Sequence, residues 1–105
     1  MIKSVSIWKL KQGKTPEEFE NWYENKHVPD VRVAMAGRRY VTSKVLPGSP
    51  GAALGYYRMA EFYFDSVEEM TRIMGSPEWA ANVADAGDWT ADAIRFAVDP
   101  TEQKT

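Results

Sequence analysis

A chain of 105 residues with a net charge of −2 and no cysteine has room for one domain with a thin core, because a chain this short buries only about 60–65% of its unfolded surface. The mild acidity, with Arg38 and Arg39 the only adjacent basic residues, argues against a nucleic-acid groove. The lack of cysteine excludes disulfides, thiolate nucleophiles and cysteine zinc sites, and a single histidine excludes imidazole clusters, so no metal site is expected.

The opening MIKSVSIWKL is too polar for a signal peptide, and no stretch approaches the roughly 20 apolar residues of a membrane span. The reading is a soluble, cytoplasmic protein. Residues 3–11 alternate loosely and predict a strand, ended by QGK. Thr15, Pro16 and Glu18 combine an N-cap, a proline at the first helical position and a capping box, so a helix is expected from residue 15. Phe19, Trp22, Tyr23 and Lys26 then fall on one helical stripe. Pro29 disfavours a helical Val28, so the helix is expected to pause there and a second one to run on to Gly37.

Residues 38–46 predict a second strand, PGSPGAALG a surface loop, and 56–64 a third strand. Ser66 with Glu69 reads as a second capping box, and Ser76 with Pro77 repeats the cap-then-proline start. Residues 93–98 read as the last strand, which makes 1–99 a single domain and 100–105 a polar tail.

Two strand–helix–strand halves give an α+β, ferredoxin-like split βαβ fold: a four-stranded antiparallel sheet with helices on one face. Sorting strand residues by parity assigns Val5, Ile7, Val41, Val45, Ala60, Phe62, Phe64, Ile94, Phe96 and Val98 to the helix side. Ser4, Ser6, Trp8, Tyr40, Thr42, Lys44, Tyr57, Met59, Glu61, Tyr63 and Arg95 are left for the uncovered side. A face so rich in aromatics predicts a homodimer that encloses a mixed polar and aromatic pocket.

Taken in order, Tyr23, His27 and Pro29, then Leu46-Pro47-Gly48 with Pro50-Gly51, then Glu61 to Ser66, then Ser76-Pro77-Glu78 resemble the EthD family of the dimeric α/β-barrel group. The resemblance spans residues 2–98, although AGDWTAD stands where the family carries an Asn-Phe stretch. It implies two ferredoxin-like subunits packed sheet to sheet, with a cavity beside each sheet. In the wider group it implies cofactor-free monooxygenases, isomerases, dehydratases and haem-degrading enzymes, so the fold leaves the chemistry open.

His27 is the candidate general acid–base, its ordinary pKa of about 6.5 being near working pH. Tyr23, one turn earlier on the same side, is its candidate helper. A helix-end histidine that caps carbonyls is the structural alternative. Trp8, Tyr40, Met59, Glu61, Tyr63 and Ser6 are the candidate substrate-binding residues, with Glu61 either a proton acceptor or a cross-strand partner of Lys44 or Arg95. These residues point to a small cofactor-free homodimeric enzyme that acts on a small apolar or aromatic oxygenated compound by dehydration, isomerisation or decarboxylation. The alternatives are a non-catalytic accessory protein that holds a metabolite for a partner oxidase, and a haem-handling protein with His27 as axial ligand.

Overall fold

The structure is a computed structural model and describes residues 1–104. Its elements run β1 (Ile2–Leu10), α1 (Pro16–Trp22), a π turn (Tyr23–His27), α2 (Val28–Met35), β2 (Tyr40–Lys44), α3 (Pro50–Ala53), β3 (Arg58–Phe64), α4 (Val67–Met74), α5 (Pro77–Ala86) and β4 (Thr90–Val98). The strands form one antiparallel sheet in the order β2-β3-β1-β4, with the helices over one face. This is the expected α+β, ferredoxin-like arrangement.

The helix starts follow the sequence. Thr15 accepts from the Glu18 amide while the Glu18 carboxylate accepts from the Thr15 amide, with Pro16 opening the helix. At α4 only half of the expected box forms. Ser66 accepts from the Glu69 amide, but the Glu69 carboxylate turns to the Asp65 amide and to Arg38. The PGSPGAALG loop contains α3, a single turn capped by Ser49.

No pause occurs before Pro29. Val28 is helical, and its N–H reaches back five residues to the Tyr23 carbonyl. The wider π turn relieves the clash of the proline ring with the preceding turn, so α1 and α2 stay continuous. The chain leaves α2 at Ala36 and Gly37, which both take left-handed backbone angles.

The assignment of sheet faces needs correction. Partners across an antiparallel ladder share a face, and Ser4 pairs Phe62, Ser6 pairs Ala60 and Trp8 pairs Arg58. Tyr40 pairs Phe62 in turn, and Arg95 pairs Ser6. Trp8 packs on Phe19 and Tyr23 of the helical layer, so Ser4, Ser6, Trp8, Tyr40, Thr42, Lys44, Arg95 and the even positions of β3 face the helices. Tyr57, whose ring packs edge-on to Phe19, also lies on that side. Val5, Ile7, Val41, Met59, Glu61, Tyr63, Ile94, Phe96 and Val98 lie on the uncovered face. The sorting held for β3 and was inverted for β1, β2 and β4. Apolarity was a poor guide because polar groups line part of the covered face and apolar groups populate the other.

The core joins Phe19, Trp22, Tyr23, Val31 and Met35 to Trp8, Ala60, Phe62 and Phe64. Each large apolar side chain among them contributes about 1.5–3 kcal/mol on full burial. Within this layer the Arg58 guanidinium, whose side chain is 5% exposed, is held by Glu20 at 2.6 Å.

Candidate functional site

A cavity of about 290 Å³ lies between the covered face of the sheet and α4 and α5. Its floor is Ser4, Ser6 and Trp8 of β1 with Thr90 and Ala93 of β4, and the exposed Arg95 of β4 stands at its mouth. Trp79, Asn82 and Ala86 of α5 roof it, Met70 and Met74 of α4 extend the roof, and Trp22, Tyr23 and His27 form the end wall.

The end wall is a cluster of rings. Trp22 meets the His27 imidazole at 4.7 Å, Tyr23 stacks on His27 at 5.5 Å, and Trp22 and Tyr23 lie 6.0 Å from each other, with Trp89 stacked behind Trp22 at 5.1 Å and 8°. Trp22 is fixed edgewise, because its Nε1–H donates to Asp85 at 3.0 Å. The π turn is what brings three residues so close in sequence onto one wall.

His27 is half-buried, and its Nδ1 is buried with no hydrogen-bond partner. Burial lowers its pKa from 6.5, and the charges of Asp85 and Asp30 offset this only in part. The imidazole is therefore neutral near pH 7 and able to accept a proton. Stability from this group is fully present above about pH 6.5 and is lost as the pH falls through the depressed folded value. An NMR titration should place the His27 midpoint below that of a free peptide histidine, and a midpoint at or above 6.5 would contradict the burial argument.

Tyr23 gives its ring to the wall, but its hydroxyl lies 3.4 Å from the Tyr40 hydroxyl. Burial, reinforced by Tyr40, raises its pKa, so it stays a phenol. The Arg58 guanidinium sits over this ring, 4.5 Å from its centroid. Among the described residues, Trp8 Nε1 is the other buried side-chain nitrogen without a partner.

Of the residues singled out in the sequence, Ser6, Trp8, Tyr23 and His27 therefore line one cavity. Tyr40 stands behind it, stacked on Phe62 and joined through Tyr23. Met59, Glu61 and Tyr63 lie across the sheet from it. Glu61 pairs with Lys3 at 2.6 Å, and Lys44 instead reaches Glu20 at 3.3 Å. Tyr63 is flanked by Lys3 and Arg39. Trp22, Met70 and Met74 also line the cavity. Trp79 and Asn82 were missed, although the helix start at Ser76-Pro77 sets Trp79, Asn82, Val83 and Ala86 at i, i+3, i+4 and i+7.

The chain matches the EthD domain over residues 11–99. It is 31% identical over 81 residues to an uncharacterized 11.0 kDa protein from the thcB-thcC intergenic region of Rhodococcus erythropolis, covering 75% of this chain and 76% of that one. Among solved structures it superposes on an EthD family protein from Bacillus halodurans with a TM-score of 0.77 and 24% identity, over 96% of this chain and 99% of that one. A dimeric ferredoxin-like protein of unknown function from Thermobifida fusca gives 0.69 at 15% identity, over 92% and 88% of the two chains. SnoaB, a cofactor-independent oxygenase from Streptomyces nogalater, gives 0.71 at 9% identity, over 97% and 94%. Below 25% identity these superpositions speak for the fold. With the domain match reaching from residue 11 to 99 and a relative 31% identical across 75% of its length, the chain belongs to the EthD family.

Proposed function

We propose that the cavity binds a small apolar or aromatic oxygenated compound and that His27 acts on it as a general base, without a cofactor. The observation that carries this reading is a neutral imidazole with an unpartnered Nδ1, in the wall of a cavity made mostly of rings and aliphatic groups. In such a wall the imidazole takes a proton from a carbon or oxygen of the ligand and returns it elsewhere on the same molecule. Isomerisation, dehydration and decarboxylation all need that transfer. SnoaB supports the reading, since its fold is shared and its description is that of a cofactor-independent oxygenase.

A second reading is a binding protein that holds its ligand for a partner enzyme. It is favoured by the Tyr23 hydroxyl, which is engaged by Tyr40 and leaves His27 without a second proton-transfer group beside it. Tryptophan fluorescence identifies which compounds bind, and proton NMR in deuterated water then separates the readings. Deuterium entering the bound compound supports the base. Tight binding with no exchange and no turnover supports the carrier.

The same proposal includes a homodimer closed through the uncovered sheet face. Ile94 and Phe96 are 47% and 48% exposed there, beside Ile7, Val41 and Met59. Such a patch is expected to be covered. The dimeric Thermobifida fusca protein supports this reading. Light scattering at micromolar concentration should give twice the 11.9 kDa chain mass, and Phe96→Glu should return the chain to a monomer. A stable wild-type monomer would remove the dimer.

A further inference from the structure

We propose that the cavity selects an anionic ligand: an aromatic carboxylate whose ring lies among the tryptophans and whose carboxylate is held at the mouth by Arg95. The proposal rests on the reading of the cavity as the binding site and adds the charge of what enters it. Among the described residues, Arg95 is the only formally charged side chain in the lining once His27 is neutral. No carboxylate of the described residues forms an ion pair with it. A wholly apolar ligand has no use for an exposed guanidinium on its doorstep, whereas a carboxylate matches the planar, two-pronged donor set of that group.

Arg95 faces the cavity because of an irregularity in β4. Ile7 pairs Ile94 but Lys9 pairs Ala91, so β4 holds one residue more than β1 over this stretch. The irregularity includes Asp92, a non-glycine residue at φ 50°, where the left-handed backbone costs about 1–2 kcal/mol. Had β4 continued from Ala91 in unbroken register, Arg95 would pair with Val5 and point out of the uncovered face. The bulge places it opposite Ser6 instead, on the polar strip of Ser4, Ser6 and Thr90 that forms the cavity floor.

The test uses two isosteric probes, 2-naphthoate and the neutral 2-naphthamide, with affinities read from tryptophan fluorescence. The wild-type protein should prefer naphthoate by about tenfold or more, as expected for a hydrogen-bonded charge pair. The preference should shrink in high salt. Arg95→Gln should abolish it by weakening naphthoate alone, and Arg95→Lys should keep part of it. Equal affinities in the wild type, or a preference that survives in Arg95→Gln, would overturn the role of Arg95 while leaving the cavity as a binding site. If neither probe binds a folded protein, the cavity reading fails and the anion selectivity falls with it.

Discussion

Replacing His27 with glutamine should lower turnover by about 10²–10⁴-fold, the range for loss of a positioned acid–base, while the protein stays folded. The imidazole Nδ1 has no hydrogen-bond partner, so glutamine breaks no bond at that atom. What the ring contributes to the fold is its contact with Trp22 and its stacking on Tyr23, worth about 0.5–1.5 kcal/mol for an aromatic pair. Glutamine is polar and of similar reach but cannot titrate near neutral pH. Deuterium exchange into the bound compound measures the chemistry, and denaturant unfolding measures the fold. Loss of the fold with exchange preserved in the surviving molecules would assign His27 a structural role.

Replacing Glu20 with alanine should cost about 3 kcal/mol of stability, near the lower end for breaking a buried ion pair because Glu20 itself keeps a side-chain exposure of 24%. The loss falls on Arg58. Its side chain is 5% exposed, and its Nε and Nη2 both donate to Glu20. Glu24 lies farther from it, at 3.4 Å, and replaces little of what is lost. Glu20 also accepts from the Tyr57 hydroxyl, whose pKa is pushed up to about 12 by burial and by that bond. A paired replacement of Glu20 and Arg58 by leucine and methionine should recover much of the loss, because no charge is then left buried. Lys44→Ala, which removes only an exposed partner of Glu20, should cost about 0–1 kcal/mol. Equal losses from Lys44→Ala and Glu20→Ala in urea unfolding would show that the pair with Arg58 is not what matters.

The same pair gives an acid dependence with a definite sign. Burial opposes ionisation of Glu20, but hydrogen bonding and the charge of Arg58 outweigh it, so its folded pKa lies below 4.5. A carboxyl with a depressed folded pKa contributes stability that is present above about 4.5 and lost as the pH falls through the folded value. The Glu20→Ala protein should show a flatter stability curve across that window.

What could be read from the sequence was what depends on near neighbours. Thr15, Ser66 and Ser76 bond to amides three residues on, and such contacts are written in local order. Element sequence and fold class followed from them. The faces of β1, β2 and β4 were not legible, because the side a strand residue takes depends on its partner strands, and β4 changes phase at Asp92. A polar strip on the covered face and apolar residues on the open one also reverse the usual pattern for a half-buried sheet. His27, Tyr23, Trp8 and Ser6 came together despite this, because the first two sit in a strongly marked helix and the others in a central strand. Met59, Glu61 and Tyr63 were placed on the right face by parity, but the pocket expected on that face lies on the other.

The π turn at Tyr23–His27 gives this segment an unusual sensitivity to chain length. Surface loops absorb inserted or deleted residues, and a loop such as 46–57 is where relatives are free to differ in length. Within the π turn one residue is what spares Pro29. Removing Glu24 would put Val28 four residues from Tyr23, close the turn as an ordinary α-helical one and leave α2 on its present face. The Pro29 ring would then press on the carbonyl of the preceding turn. In an alignment of relatives, a single-residue gap opposite residues 24–26 is therefore expected to go with the loss of the proline at 29, and the two changes are to be read as one.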